Sequence, residues 1–376
     1  MPIAANASAT LPDKSAAQVI AMVQREGVTA FSGTIEQTSD LGLPSTDGLS
    51  VGGQGGAGAG QGSDSGSGSG SGSATATALE FLTGSHSVRI FVDGPKNLRA
   101  QVIDQLAERD VIRHGNDVWL YDSKAGTAEH ATIPAKPAAA GTSESGTSES
   151  GTSESGTGRM PSAGASTKTP AHIAELLLAK LRPSSTVSVD GQVSVAGRSA
   201  YNLVLTPKSR DSLLGSVSIA VDSATGMPLR VQLTARGSDT AAVSVGFSSL
   251  TLAKPAASLF TFTPPKSATV KQLATPTKHS DAATHDAKPK KGESGTSPAM
   301  PKVSETGSGW DSVVLVSDVT QLSDLQKSPL FSELTTSAAG GRLLHTTLVN
   351  ILFLDDGRIV AGSVPVAKLE SAASAQ

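Results

Sequence analysis

Histidines and adjacent carboxylates are the side chains of this sequence that could carry out metal or acid–base chemistry. No two histidines are four residues apart, the spacing that places two imidazoles on one helix face for a metal ion. Asp355 and Asp356 are adjacent, but Gly357 follows them, and this pattern is typical of a hairpin turn. The residues therefore predict no catalytic group and no metal site. The seven histidines lie at positions 86, 114, 130, 172, 279, 285 and 345.

The absence of cysteine removes further kinds of chemistry. Without cysteine there is no thiolate nucleophile, no disulfide framework and no zinc site of the usual cysteine type. The glycines at 52–60 lie in low-complexity sequence, without the strand and helix that would aim backbone amides at a phosphate. Trp119 and Tyr121 alternate with aliphatic residues, which indicates packing in a strand. We therefore predict a protein that is not an enzyme and holds no cofactor, with an enzyme of unrecognisable type as the alternative.

Charge and hydropathy narrow the partners and the location. The 376 residues carry a formal net charge of −3, whereas nucleic-acid binders gain affinity from a basic face, so no nucleic-acid partner is expected. No apolar run reaches the roughly 18–20 residues that span a bilayer. The triplets Ala5-Asn6-Ala7 and Ala7-Ser8-Ala9 are typical of the end of a signal peptide. We expect an extracytoplasmic protein whose export segment is absent from this chain, with a merely Ala-rich start as the alternative.

Low-complexity segments divide the chain. Residues 48–78 are rich in Gly and Ser, and residues 135–168 repeat GTSES, so both are predicted to be flexible insertions within one domain, residues 15–265. Residues 266–307 are rich in Lys, Pro, Ser and Thr, which predicts a disordered interdomain linker. A small C-terminal domain over 308–376 follows. Residues 1–14 are predicted to be a disordered leader.

Strand-like alternation dominates the larger domain. In Ser216–Leu233, apolar residues occupy every second position on both sides of a turn at 222–226, which predicts a β-hairpin with one apolar face. Similar runs elsewhere bring the total to about ten antiparallel strands. Two amphipathic helices accompany them, one over 15–26 with Ser15 as N-cap and one over Thr169–Leu181. The predicted fold is mainly β (α+β).

The apolar strand faces form a large surface that helices or a hydrophobic ligand must cover. Residue by residue, ordinary core packing is the simpler interpretation. Taken together, however, ten strands offer more apolar area than two helices of about 13 residues can cover. In the C-terminal domain, Gly341–Leu354 is predicted to be one long strand that is apolar on both faces, so that one face meets the larger domain or a partner.

Several segments of the larger domain resemble the LolA/LppX-like lipoprotein carrier family. They are FSGTIEQ (31–37), GNDVWLYD (115–122), YNLVLTP (201–207) and LFTFTPPKSATV (259–270), and the similarity spans about residues 15–270. The resemblance implies an incomplete antiparallel β-barrel closed by two helices, with a hydrophobic cavity for lipid or lipoprotein acyl chains. It therefore implies a non-enzymatic carrier.

The apolar rows and the helix stripes are the predicted lining of that cavity. The predicted lipid-binding residues are Ile20, Val23, Phe31, Ile35, Val88, Ile90, Val92, Leu98, Val102, Ile173, Leu177, Tyr201, Leu203, Leu205, Val217, Ile219, Leu229, Val231, Leu233, Val243, Val245 and Phe247.

The end of the chain carries a second resemblance. GSVPVAKLESAA (362–373) is similar to the close of the small, mixed α/β C-terminal domain in RseB/MucB-type sigma-factor regulatory proteins. This resemblance implies a membrane-bound partner of the anti-sigma-factor type. Two functions therefore stay open, a lipid carrier and a regulatory sensor.

Overall fold

The computed structural model describes residues 11–25, 27–43, 84–104, 107–133, 169–273, 302–317, 319, 322, 326–327 and 329–375. The predicted insertions, 48–78 and 135–168, lie outside these residues, as does the leader before residue 11.

One large antiparallel sheet forms the N-terminal unit. Its order is β12-β6-β5-β4-β3-β2-β1-β11-β10-β9-β8-β7, and the pairing of β12 with β6 is parallel. Among the described strands no pairing joins the two edges, β12 and β7, so the sheet is open. The strands are β1 (Ala30–Ser39), β2 (Gly84–Asp93), β3 (Asn97–Asp104), β4 (Ala107–His114), β5 (Asp117–Asp122), β6 (Thr127–Thr132), β7 (Ser185–Val195), β8 (Arg198–Pro207), β9 (Leu214–Asp222), β10 (Pro228–Ala235), β11 (Ala241–Thr251) and β12 (Thr269–Gln272).

The predicted mainly β fold is confirmed, with twelve strands in this sheet where about ten were expected. The hairpin at Ser216–Leu233 is present as β9 and β10, with Ile219 opposite Val231 and Val217 opposite Leu233. Residues directly opposite in neighbouring strands share a face of the sheet. The alternating apolar rows therefore lie on one face, as the pattern indicates.

Two helices pack on that face. Helix α1 (Ala16–Val23) begins with a capping box between Ser15 and Gln18, and α2 (Pro170–Leu181) begins at Thr169, whose hydroxyl accepts from the His172 amide. These contacts supply partners for N–H groups that the first helical turn leaves unsatisfied. Helix α1 contacts β7 and β8, and α2 contacts β10 and β11. Both predicted helices are present at nearly the expected bounds.

The turn between β9 and β10 fixes α1 on the sheet. Gly226 has a φ of +77°, and a Cβ there would lie 2.4 Å from the carbonyl oxygen of Met22. Only glycine adopts this backbone conformation without strain and also leaves room for the helix. The turn sequence therefore serves both the hairpin and the close approach of α1.

The opposite face of β3–β6 has a separate aromatic group. Phe260 is buried in the short 3-10 helix Ala257–Phe260, which contacts β3 and β4. The Trp119 ring stacks on His130 with 4.3 Å between centroids and meets Phe262 at 5.5 Å. Trp119 is therefore a packing residue, as its alternation predicts.

A second, six-stranded sheet forms the C-terminal unit, in the order β13-β14-β18-β17-β16-β15. Helix α4 contacts β14, β17 and β18, and its Leu369 is fully buried. The elements are β13 (Lys302–Thr306), β14 (Val313–Ser317), α3 (Pro329–Leu334), β15 (Thr336–Ala338), β16 (Gly341–His345), β17 (Asn350–Leu354), β18 (Ile359–Gly362) and α4 (Val366–Ser374).

The prediction of one long strand over Gly341–Leu354 is wrong. The segment is a hairpin of β16 and β17, and the Thr346 hydroxyl closes its turn by donating to the carbonyl oxygen of Val349 and accepting from the amides of Leu348 and Val349. The turn, rather than a strand face, contacts the N-terminal unit. There Leu348 is buried in that unit's core, and the Thr347 amide donates to Leu41 O at 3.0 Å.

Ordered contacts extend beyond two of the predicted boundaries. Strands β12 and β13 both lie within 266–307, so the predicted linker was too wide at each end. Within the predicted leader, the Gln192 carboxamide binds both the amide and the carbonyl of Leu11, and the Tyr201 hydroxyl donates to Pro12 O. The division into domains itself stays a prediction.

Two buried carboxylates pair with arginines, with opposite effects on their pKa values. Burial acts to raise the pKa of Asp222, but the hydrogen bonds from Arg198 and Thr225 outweigh it, so the pKa of Asp222 lies below its usual range. Burial also acts on Asp110, and there it prevails over the contacts from Arg99, so the pKa of Asp110 is raised.

These directions predict how stability depends on pH. Because the folded-state pKa of Asp222 is lowered, its stabilising contribution is present above the unfolded pKa, about 4, and is lost as pH falls through the folded pKa. Asp222→Asn should therefore cost about 1–3 kcal/mol at neutral pH and flatten the acid decline in the free energy of unfolding. Asp110→Asn is the matched control, since removing a carboxyl with a raised pKa should not flatten that decline. Denaturant titrations between pH 3 and 7 test this, and an unchanged slope for Asp222→Asn would contradict it.

Candidate functional site

A cavity lies between the two helices of the N-terminal unit. Its volume is about 690 Å³, within the range of small-molecule sites. Helix α1 and the residues after it supply one wall, and α2 with the 3-10 turn Arg182–Ser184 supplies the other. The lining residues are Ile20, Val23, Gln24, Arg25, Glu175, Leu178, Ala179, Arg182 and Pro183.

The lining changes from apolar to charged towards the surface. Ile20, Val23 and Leu178 are 7–8% exposed and belong to the core beneath the helices. Arg25 and Arg182, by contrast, are exposed. A cavity with an apolar floor and a polar mouth suits an amphipathic ligand, whose tail leaves water while its head stays at the rim.

Within the described part of the chain, the charged side chains at the mouth are not neutralised by ion pairs. There, the side chains of Arg25, Glu175 and Arg182 form no hydrogen bond or ion pair with one another or with other described residues. Glu175 lies on α2 and Arg182 directly follows that helix, seven residues later, so about 10 Å separates their Cα atoms. The mouth therefore presents two guanidinium groups and one carboxylate that remain available to a ligand.

The predicted lipid-binding residues fall mainly into two packed clusters. The cluster beneath the helices contains Ile20, Val23, Tyr201, Leu203, Leu205, Val217, Ile219 and Val231, with Ile173, Leu177, Leu233 and Val243 against it. A second cluster contains Phe31, Ile35, Ile90, Leu229, Val245 and Phe247, with Val92, Ile173 and Val243 against it. Val88, Leu98 and Val102 belong to neither cluster.

Of the 22 predicted residues, only Ile20 and Val23 line the cavity. Leu203, Val217 and Ile219 are completely buried beneath the helices, so these rows form packed core. A lipid-binding role for the set stays a prediction.

Sequence reasoning missed the other seven lining residues. Arg25 falls inside the predicted helix 15–26, and Arg182 directly follows the second predicted helix. A partial signal was present, because an arginine lies near the end of each predicted helix. Only the packing of the two helices, however, brings these residues to one cavity.

No protein-family model and no curated protein matches the chain. Several solved structures match it. The complex of Pseudomonas aeruginosa MucA and MucB matches with a TM-score of 0.39 and 14% identity, over 95% of this chain and 95% of that chain. A LolA superfamily protein from Nitrosomonas europaea matches with a TM-score of 0.23 and 10% identity, over 66% of this chain and 99% of that chain.

A helix that spans a bilayer needs about 20 predominantly apolar residues. In the described ranges, no helix combines the length and the apolar character that crossing a bilayer requires.

Proposed function

We propose that the protein is a non-enzymatic, extracytoplasmic lipid-binding protein that holds an acyl chain between α1 and α2. The observation that carries the proposal is the cavity of about 690 Å³, with an apolar floor of Ile20, Val23 and Leu178. Each methylene that leaves water there contributes about 0.8 kcal/mol. The resemblance to lipoprotein carriers agrees with this ligand class, and the acyl chain of a lipid or a lipoprotein is the proposed cargo.

A substitution that fills the cavity tests this proposal. Ala179 is exposed and lines the cavity, so Ala179→Trp should occupy the space without disturbing the core. We expect a loss of at least about tenfold in affinity for a single-chain lysophospholipid, equivalent to about 1.4 kcal/mol. Isothermal titration calorimetry below the micelle concentration measures it.

Leu176→Trp is the matched control. Leu176 is on the same helix, is 52% exposed and is not among the residues that line the cavity. Its substitution adds an indole to α2 while leaving the cavity open, so binding should be unchanged. Equal affinities for Ala179→Trp and Leu176→Trp would contradict the site, and absence of binding by the unmodified protein would contradict the function.

Hydrogen bonds connect the end of α2 to the C-terminal unit. They favour a second function, a sensor that reports cavity occupancy to a membrane-bound partner. The Trp310 indole N–H donates to Ser185 Oγ at 2.7 Å, and that hydroxyl donates to Leu181 O at the end of α2. Ala179 and Arg182, which line the cavity, are within two residues of Leu181 in the chain. A ligand that displaces α2 would therefore also move the contact with Trp310.

A further inference from the structure

The mouth of the cavity carries both signs of charge, and this composition bears on the headgroup of the ligand. Arg25 and Arg182 supply two guanidinium groups, and Glu175 supplies a carboxylate from α2, which Arg182 directly follows. Glu175 makes no ion pair with either arginine, so the opposite charges remain separate. Separate charges of both signs complement a ligand that itself has a negative and a positive group.

The ends of the helices reduce the preference for a purely anionic ligand. Helix α1 ends at Val23 and α2 ends at Leu181, so Arg25 lies two residues beyond one helix C-terminus and Arg182 directly follows the other. A helix C-terminus is equivalent to about half a negative charge, which offsets part of the charge of a nearby arginine. With Glu175 also present, an anionic headgroup without a cation would meet repulsion as well as attraction.

We infer that the cavity selects a phospholipid with a zwitterionic headgroup, an inference that rests on the proposed lipid-binding function. Arg25 and Arg182 bind the phosphate, because guanidinium groups match phosphate oxygens with paired N–H donors. Glu175 binds the ammonium group of the same headgroup. The acyl chain lies on Ile20, Val23 and Leu178.

Three single-chain lipids with the same acyl chain separate the contributions of the phosphate, the ammonium group and the acyl chain to the affinity. Lysophosphatidylethanolamine carries phosphate and ammonium, lysophosphatidylglycerol carries phosphate alone, and a monoacylglycerol carries no charge. The full chain should bind lysophosphatidylethanolamine more tightly than the other two. Calorimetric titration below the micelle concentration gives the three affinities.

Substitutions at the mouth test which residue binds which charged group of the lipid. Glu175→Gln should remove the preference for lysophosphatidylethanolamine over lysophosphatidylglycerol. The double variant with Arg25→Gln and Arg182→Gln should lower the affinity for both phospholipids by about tenfold, the effect of losing a hydrogen bond to a charged group. Monoacylglycerol binding should be unaffected in every variant. Arg210→Gln, at an exposed arginine outside the cavity lining, is the control and should change nothing.

The outcomes distinguish the inference from the function on which it rests. Equal binding of all three lipids by the unmodified protein, or a preference that survives Glu175→Gln, overturns the zwitterionic headgroup and leaves the lipid-binding function standing. A failure to bind any of the three lipids overturns the proposed function and the headgroup inference together.

Discussion

Replacing Trp310 with alanine should destabilise the whole protein by about 3–5 kcal/mol, the usual cost of deleting a buried tryptophan. Trp310 is only 3% exposed and lies in the core cluster of the N-terminal unit, although it belongs to the 3-10 helix Gly309–Asp311 between β13 and β14 of the C-terminal sheet. It follows Gly309, whose φ of +61° and close approach to Ser184 leave no room for a Cβ. Denaturant unfolding followed by far-UV circular dichroism measures the loss.

Trp310→Phe separates packing from hydrogen bonding at the same position. An aromatic ring remains, but part of the ring volume and the hydrogen bond from the indole N–H to Ser185 Oγ are lost, the latter at a cost of about 0.5–1.5 kcal/mol. Ser185 keeps its own donation to Leu181 O. If Trp310→Ala lowered the free energy of unfolding no more than Trp310→Phe, the Trp310 side chain would not contribute to the core.

The same residue distinguishes a sensor from a plain carrier. If the C-terminal unit responds to the cavity, lysophospholipid should alter hydrogen exchange at 309–311 in the unmodified protein, and Trp310→Ala should abolish that response. Surface ion pairs between the units, such as Lys180–Glu305 at 3.0 Å, are well exposed and contribute little. Unchanged exchange at 309–311 would leave a carrier with an attached structural unit.

Local signals made much of the fold predictable. The β9–β10 hairpin combines strict alternation with a glycine turn, and both long helices begin at a capping residue, Ser15 or Thr169. Each of these signals depends on neighbouring residues alone. They were therefore readable without knowledge of the tertiary structure.

Errors arose where the determining contacts are not in the local pattern. The hairpin over Gly341–Leu354 turns at Thr346, whose side chain closes the turn without any glycine or proline. Strand β12 has four exposed residues, so it has no apolar alternation, and only its pairing with β6 defines it. Composition indicated a linker there because an edge strand can be polar on both faces.

The candidate site was predicted less well than the fold for a related reason. The apolar rows on β8, β9 and β10 identify a face that must be covered, but the pattern is the same whether helices or a lipid cover it. The structure covers Leu203 and Ile219 completely, and the cavity lined by described residues lies instead between α1 and α2. The charged mouth depends on two helix ends that are far apart in sequence, so no local pattern could predict it.

Replacing Ile219 with aspartate should prevent folding. Ile219 is completely buried and lies opposite Leu203 on one side and Val231 on the other, both of which are also completely buried. A carboxyl group at this point has no partner in either protonation state, so its burial and the lost packing of Ile219 together should remove most of the roughly 5–15 kcal/mol of net stability that a domain has. Soluble yield and far-UV circular dichroism measure the outcome.

Two control variants identify the cause. Ile219→Val removes one methylene group and should cost only about 0.5–1.5 kcal/mol, because the packed surroundings are otherwise kept. Ser218→Asp places the same charge one residue away, on the opposite face of β9, and should leave the protein folded. An Ile219→Asp variant that folds with near-normal stability would mean that Ile219 faces an open cavity. If that variant also bound lysophospholipid normally, Ile219 would be excluded as a lipid contact.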